Sequence, residues 1–130
     1  HKLDLKGIIL KPNMILAGNK SKNKIYNEDV AKITLECLVN SVPSEVPGIA
    51  FLSGGQSEIE ATENLNLINK NNSTNFIMTY SYGRALQKSA LEMWSTNNNE
   101  IKPTQNIFNH RAKMCTLAAQ GKWSYEIENR

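Results

Sequence analysis

Three short apolar runs, each followed by turn residues and then by a helical pattern, constrain the fold of this chain more than any other feature. The runs cover residues 5–10, 48–52 and 76–80. Each run is almost continuously apolar rather than alternating, which is typical of strands covered on both faces in a parallel sheet. We therefore expect one β-strand at each run, with neighbouring strands parallel.

Helical patterns fill the intervals after these runs. Four helices are expected, and they begin at or near Asn27, Ser57, Arg84 and Thr104. The second has the clearest start, because Ser57 and Glu60 can form a capping box, and the fourth ends at Gly121, which suits a C-terminal cap. The side chains expected to face inward are Val30, Ile33, Cys37 and Leu38 on the first helix, Ile59, Thr62 and Leu65 on the second, Leu86, Ala90 and Trp94 on the third, and Phe108, Ala112, Cys115 and Ala119 on the fourth.

The resulting order is β, α, β, α, β, α, α, and repeated βα units indicate a parallel sheet with right-handed crossovers. Three strands cannot close a barrel by themselves. Two architectures fit the order: a small open α/β domain, or the last part of a (β/α)₈ barrel, which needs about 250 residues. A chain of 130 residues is compatible with both, so composition does not distinguish them.

Composition excludes several other classes of protein. A 40% apolar and 21% charged chain has a globular rather than a disordered balance. Its net charge of +3 is too small to indicate nucleic-acid or membrane binding, and no apolar run approaches the roughly 20 residues of a membrane span. Cys37 and Cys115 are expected to be reduced core thiols, and His110 has no partner at a metal-ligand spacing, so no metal is expected.

The residues capable of chemistry all follow the apolar runs directly. Lys11 follows the first run, and the segment Ser-Gly-Gly-Gln-Ser, which begins with Ser53 and Gly54, follows the second. Gly83 and Arg84 follow the third. These are the carboxyl ends of parallel strands, where α/β folds bind their ligands. Each feature alone fits a solvated lysine or an ordinary turn at a helix start, but their coincidence at one edge of the sheet indicates a site.

The chemistry of these residue types fits a phosphate site beside an amine. Glycine amides at two adjacent helix starts favour an anion, and the guanidinium of Arg84 is a fork for phosphate oxygens. Barrels bind phosphate in this way after their seventh and eighth strands. The amine of Lys11, as a free base, could attack a carbonyl group held next to that phosphate.

Four segments form a recognisable set: Leu-Lys-Pro-Asn-Met at 10–14, Phe-Leu-Ser-Gly-Gly-Gln-Ser-Glu at 51–58, Asn-Leu-Asn at 64–66 and Ser-Tyr-Gly-Arg-Ala-Leu-Gln at 81–87. In this order and at this spacing they resemble class I fructose-1,6-bisphosphate aldolase. The similarity covers nearly the whole chain, and it continues to Gln-Gly-Lys at 120–122. The combination of the first two segments is specific to that family.

The resemblance implies the C-terminal part of a (β/α)₈ barrel, namely the sixth to eighth βα units and the C-terminal helices, with residues 1–130 as one partial barrel domain. It implies that Lys11 is the Schiff-base lysine, whose iminium accepts electrons as the substrate's C3–C4 bond breaks. Ser53, Gly54, Gly83 and Arg84 would hold the phosphate next to the ketone of fructose 1,6-bisphosphate. The products would be dihydroxyacetone phosphate and glyceraldehyde 3-phosphate, and neither a metal nor another cofactor is implied.

The resemblance further implies a cytoplasmic homotetramer that acts in glycolysis on a small sugar phosphate, without nucleic acid and without a membrane span. The family's acid/base carboxylates and accessory lysines belong to earlier strands, so we expect the 130 residues alone to be inactive. Lys6 replaces an acidic residue usual in this strand, and the last tyrosine is Tyr125, whereas the family's tail usually ends in a tyrosine that folds over the site. Two alternatives stay open: a non-catalytic phosphate-binding α/β module, in which Lys11 is only a charge partner, and another Schiff-base barrel enzyme with a different sugar phosphate.

Overall fold

The computed structural model describes residues 2–96, 99 and 101–129, and within them three parallel strands form one sheet in chain order. The strands are β1 (Ile9–Leu10), β2 (Gly48–Phe51) and β3 (Ile77–Tyr80). The helices are α1 (Asn27–Ser41), α2 (Glu58–Asn71), α3 (Arg84–Thr96), α4 (Ile101–Ala119) and α5 (Tyr125–Glu128). The order predicted from the sequence is confirmed, and α5 is an additional short helix.

The sheet has one buried face and one open face. Gly48 pairs with Ile9 on one side and with Ile77 on the other. These two isoleucines are 70% and 73% exposed, whereas Ile49 and Phe51 are completely buried. Among the described residues the helices pack on one face of the sheet, so the predicted cover on the second face is not supplied by this segment.

The first strand is shorter than the apolar run of residues 5–10. Leu5–Gly7 form a turn of 3₁₀-helix, and the Asp4 carboxylate that precedes it accepts a hydrogen bond from the Lys6 amide at 3.1 Å. Only Ile9–Leu10 pair with β2. An aspartate that caps a turn competes with the extended conformation, and the glycine within the run lowers its strand propensity.

The boundaries of α2 and α4 show how local capping determines helix ends. The Ser57 hydroxyl accepts from the Glu60 amide at 3.2 Å, and the Glu60 carboxylate accepts from the Ser57 amide at 2.8 Å, which confirms the capping box. α4 has 19 residues and begins at Ile101 rather than near Thr104, and Gly121 follows it with φ of +67° as a C-terminal cap. In the described part of the chain, no helix combines the length and the apolar character that crossing a membrane requires.

α1 departs from the prediction at its start and in its buried face. The N-cap is Tyr26 rather than Asn27, and its side chain makes no capping hydrogen bond. Asn27 is the first residue of the helix, and its side chain donates instead to Glu63 Oε2 at 2.6 Å. Ile33 and Cys37 are exposed, so Cys37 is a free surface thiol and not a core one. The buried residues of α1 are Val30, Ala31, Thr34 and Leu38. Apolar residues occur on more than one side of this helix, so the sequence pattern indicated a face rotated from the buried one.

α3 and α4 pack against each other and leave an open groove between them. Trp94 and Phe108, which were predicted to face inward, line this groove together with Leu91 and are exposed. Ala90 and Cys115 are buried, as predicted. The two predictions that failed concern large aromatic side chains whose position on a helix does not by itself show whether another element covers them.

A buried charged cluster joins α5 to α2 and α4. Arg111 is 4% exposed and donates to the Glu128 carboxylate and, at 2.7 Å, to the Thr62 hydroxyl. Glu128 also accepts from Trp123 Nε1 at 2.6 Å, and its other oxygen lies 3.1 Å from His110 Nε2. The buried guanidinium is thereby neutralised and hydrogen-bonded through both terminal nitrogens, while its Nε has no partner among the described residues.

We predict that Arg111→Met, made in the protein that carries this segment, lowers the free energy of unfolding by about 3 kcal/mol. The Glu128 carboxylate would stay buried and lose its main cation. Urea unfolding measures the change. Lys113→Met, at an exposed position of the same helix, is the matched control and should change the value by less than about 0.5 kcal/mol. An effect of Arg111→Met no larger than that of the control would contradict the prediction.

Candidate active site

The three strands end side by side, and the loops that follow them begin at one edge of the sheet. The Leu52 amide donates to the Pro12 carbonyl at 3.0 Å, which joins the end of β2 to the segment after β1. The Ser81 amide donates to the Phe51 carbonyl at 2.8 Å, which joins the end of β3 to β2. The loops that carry the predicted site residues therefore begin at adjacent positions.

Lys11 is the first residue after β1, and it is exposed in this chain. Side chains alternate along an extended segment, so Lys11 shares the open face of the sheet with Ile9. In a closed barrel that face is the interior. The loop after Lys11 is well anchored, because Met14 is buried and the Ile15 amide donates to Thr34 Oγ1 at 3.0 Å. The backbone at Lys11 is thus held in place while its amine stays accessible.

The loop after β2 is a tight turn that leads directly into α2. The Gln56 amide donates to the Ser53 carbonyl at 3.2 Å, and Gly55 has φ of +81°, a conformation that favours glycine. Gly54 has no positive φ, but a Cβ on it would lie 2.9 Å from Leu52 Cδ1. The turn therefore requires a glycine at position 55, whereas a Cβ on Gly54 would displace only the end of the Leu52 side chain.

The loop after β3 begins α3 through the backbone of Gly83. Its carbonyl accepts from the amides of Leu86 and Gln87 at 3.0 and 3.1 Å. Gly83 has no positive φ, and a Cβ on it would meet none of the described atoms within 4 Å. Local structure does not require a glycine here, whereas a ligand approaching the backbone would. Arg84, the first residue of α3, is exposed.

A cavity of about 450 Å³ lies between the starts of α2 and α3. Its lining includes Gly55 together with Arg84 and Lys88. The N-terminal ends of two helices and the guanidinium of Arg84 favour an anion in this space, whereas the ammonium of Lys88 lies 3.8 Å from a carboxylate of the same lining. Glu58 also lines the cavity, but its carboxylate accepts from the Ser89 amide at 3.1 Å and from the Ser89 hydroxyl. Sequence reasoning missed this contact, since residues 31 positions apart give no local signal.

Tyr82, in the loop after β3, and Tyr125, on α5, are neutral hydrogen-bond donors. The Tyr82 hydroxyl donates to the Ala61 carbonyl at 2.8 Å, and burial raises the pKa of Tyr82 above the usual 10.0. Tyr125, the last tyrosine of the sequence, donates to Glu63 Oε2 at 2.6 Å, and this hydrogen bond to a carboxylate raises the pKa of Tyr125 to about 12. The contact ties Tyr125 to the middle of α2.

His110 and Cys115 lie in contacts that stabilise the fold. His110 lies against the Glu128 carboxylate, as described above. Cys115 is buried, and burial raises the pKa of its thiol, which disfavours the reactive thiolate. Within residues 2–96, 99 and 101–129, no group of three or more His, Cys, Asp or Glu side chains is arranged to hold a metal ion.

The fold, including the loops at the carboxyl ends of the strands, has a close counterpart among solved structures. The chain superposes with a TM-score of 0.89 and 41% sequence identity on fructose-bisphosphate aldolase from Plasmodium falciparum, solved in a ternary complex with TRAP and a small-molecule inhibitor. The match covers 94% of this chain and 35% of that chain. The three βα units are therefore a segment of a (β/α)₈ barrel, which confirms the predicted fold class.

The family profile described as fructose-bisphosphate aldolase class-I matches residues 1–130. The chain belongs to the class I fructose-bisphosphate aldolase family, and the resemblance carried by its four motif segments is confirmed. It is 48% identical to chloroplastic fructose-bisphosphate aldolase 3 of Arabidopsis thaliana over 95% of this chain and 31% of that protein. It is 45% identical to fructose-bisphosphate aldolase B of Gallus gallus over 95% of this chain and 34% of that protein. The chain thus spans about a third of the length of the curated relatives it matches.

Two glycine substitutions should separate a glycine required by the backbone from one required by a ligand. Gly55→Ala should lower the free energy of unfolding by about 1 kcal/mol, because a left-handed conformation is unfavourable for alanine. Gly83→Ala should change it by less than about 0.5 kcal/mol, since a Cβ there has open space. Urea unfolding of the protein that carries this segment measures both values, and equal destabilisation by the two substitutions would contradict the prediction.

Proposed function

We propose that the protein carrying this chain is a class I fructose-bisphosphate aldolase, which reversibly cleaves fructose 1,6-bisphosphate to dihydroxyacetone phosphate and glyceraldehyde 3-phosphate. The observation that carries the proposal is the adjacency of three loops, one with Lys11 and two with glycines at helix starts. Membership of the family supports the same reaction. Residues 1–130 contribute one part of a single barrel domain, and the remaining part supplies the groups that move protons.

In this proposal Lys11 is the nucleophile. Its free amine attacks the ketone carbon of the substrate, a carbon–nitrogen bond forms, and the ketone oxygen leaves as water to give an iminium. The iminium accepts the electron pair of the C3–C4 bond as the C4 hydroxyl loses its proton and glyceraldehyde 3-phosphate departs. Protonation of C3 and hydrolysis of the iminium release dihydroxyacetone phosphate and restore the amine. The iminium withdraws the electrons, so the cleavage needs no metal ion.

The phosphate next to the ketone is held by the amides of Gly54 and Gly83, the Ser53 hydroxyl and the Arg84 guanidinium. The open space at Gly83 and the exposed Arg84 support this assignment. A helix N-terminus adds a favourable field for the anion, and a guanidinium can bind two phosphate oxygens at once. The site therefore uses the same edge of the sheet as Lys11.

The proposal also covers the compartment, the assembly and the metabolic role of the whole protein. It includes cytoplasmic residence, a role in glycolysis, a homotetramer, and a small sugar phosphate as the partner. Relatives named as fructose-bisphosphate aldolases from Dictyostelium discoideum and Gallus gallus support the activity, and the Arabidopsis relative named as chloroplastic represents the competing compartment. The homotetramer is supported by the family resemblance.

One observation favours a second candidate function. The side chain of Lys11 is exposed in this chain, as it would be in a phosphate-binding module whose lysine is only a charge partner. The two functions differ in covalent chemistry. Borohydride with dihydroxyacetone phosphate should fix the ligand on Lys11 in an aldolase, whereas a binding module would release it.

We predict that Lys11→Arg, in the protein that carries this segment, abolishes cleavage of fructose 1,6-bisphosphate and covalent trapping while largely preserving phosphate binding. Arginine keeps the positive charge but does not deprotonate to a free base. Steady-state assays and mass spectrometry of the trapped protein measure these effects. Lys6→Arg is the matched control and should behave as the wild type. Retention of more than a few per cent of the wild-type rate by Lys11→Arg would remove Lys11 from the nucleophile role.

Arg84→Ala should weaken the binding of inorganic phosphate by about 1.5–3 kcal/mol, the range for a hydrogen bond to a charged group. Titration calorimetry of the protein that carries this segment measures the difference. Lys88→Ala, one turn further along α3 and in the lining of the same cavity, should cost less than about 1 kcal/mol because its exposed ammonium is already paired with Glu92 at 3.8 Å. Phosphate bound in a crystal away from Ser53 and Arg84 would contradict the assignment.

A further inference from the structure

Gln56 touches both of the loops that the proposed reaction uses. It directly follows Gly55, the last residue of the segment 53–55, which we call the phosphate loop. Its Nε2 amide donates to the Sδ of Met14 at 3.7 Å, and Met14 lies three residues after Lys11. One side chain therefore connects the phosphate loop to the loop that follows the nucleophile.

Asn64, on the second turn of α2, holds Gln56 in this orientation. Its Nδ2 donates to Gln56 Oε1 at 2.8 Å. Asn64 is 1% exposed, and its Oδ1 has no hydrogen-bond partner among the described residues. A buried carbonyl oxygen without a partner is unfavourable for folding, and an apolar side chain of the same size would avoid that cost. Stability alone therefore does not account for an asparagine at this position.

The partners determine the orientation of the Gln56 amide. A thioether sulfur can only accept a hydrogen bond, so the NH₂ group of Gln56 faces Met14 and its carbonyl oxygen faces the Asn64 donor. Met14 is itself 2% exposed and belongs to the hydrophobic core. The chain of contacts thus runs from a rigid helix, through the glutamine, to a core residue of the Lys11 loop.

The loop after Lys11 has two further anchors on either side of this contact. The Leu52 amide donates to the Pro12 carbonyl, and the Ile15 amide donates to the Thr34 hydroxyl, both at 3.0 Å. Pro12, Met14 and Ile15 are thus held by three different segments. Leu52 and Gln56 adjoin the two ends of the phosphate loop, so both contacts tie it to the loop after Lys11, and the Gln56 contact is the one of the three made between two side chains.

We propose that Gln56 and Asn64 are a positioning pair, which sets the place of the phosphate loop relative to Lys11. This proposal rests on the proposed function, in which the amine and the phosphate loop hold the same substrate. Neither residue of the pair touches the substrate, and both act through the two loops. An attacking amine must approach its carbonyl carbon to about 3–3.5 Å, and a misplacement of about 1 Å can lower the rate by about 100-fold.

Asn64→Leu, in the protein that carries this segment, tests the pair. Leucine has the same branched shape and the same number of side-chain heavy atoms, removes the donor to Gln56 and also removes the unpartnered Oδ1, so the melting temperature should not fall. The rate of borohydride trapping of dihydroxyacetone phosphate on Lys11 should fall about ten-fold or more. The dissociation constant of inorganic phosphate should stay at its wild-type value. A merely structural role would instead lower the melting temperature and leave the trapping rate of the folded protein unchanged.

Gln56→Met breaks the same pair at its other residue. Methionine keeps the length of the side chain but loses the contacts with Met14 and Asn64. It should slow trapping to a similar extent. The double variant Gln56→Met/Asn64→Leu should be no slower than either single variant, because residues that act as one unit are not additive. Asn69→Leu is the matched control, since Asn69 lies on the same helix and donates to the Leu65 carbonyl at 3.0 Å. It should trap ligand at the wild-type rate.

The outcomes separate this inference from the proposed function. Wild-type trapping on Lys11 together with an equal rate in Asn64→Leu would overturn the positioning pair and leave the aldolase reaction standing. Additive losses in the double variant would also overturn it. Absence of trapping in the wild-type protein would overturn the proposed function, and the positioning role would fall with it.

Discussion

Parallel pairing of three short strands is the constraint on which the rest of this chain depends. The hydrogen bonds from Leu52 to Pro12 and from Ser81 to Phe51 carry the pairing beyond the strands and into their loops. Because parallel strands all end at one edge, segments that are far apart in the sequence become neighbours there. The motifs of the chain acquire a common location only through this pairing, and each of them alone would be an ordinary turn.

α2 holds the loops at that edge in place through its contacts. Its first residues carry the capping box, and its buried residues Leu65 and Ile68 pack under the sheet. Polar side chains leave the same helix in three directions: Glu58 reaches α3, Asn64 reaches the loop before the helix, and Asn66 accepts from the Trp123 amide at 3.0 Å. A single helix thus connects the loops at the edge of the sheet to the C-terminal end of the described chain.

The sequence predicted those features that depend on residues close together in the chain. The capping box at Ser57 and the left-handed Gly121 are local, and the order of strands and helices follows from such signals. Contacts such as Glu58 with Ser89, or Arg111 with Glu128, form between side chains that tertiary structure brings together, and the pattern of apolar residues does not predict them. The same limit explains the errors: Cys37 and Trp94 occupy apolar stripes, but exposure depends on whether another element covers the stripe.

The open face of the sheet, with Ile9 and Ile77 uncovered, has a consequence for synthesis on the ribosome. As C-terminal units of a barrel, the place that the family resemblance implies, these strands emerge after the others, so their apolar face meets strands that have already been made. The earlier strands carry the greater risk, since they must wait with unpaired edges until this segment arrives. Closure of the barrel then waits for this segment, and slow emergence of its βα units would lengthen the period in which chaperones have to shield the nascent chain.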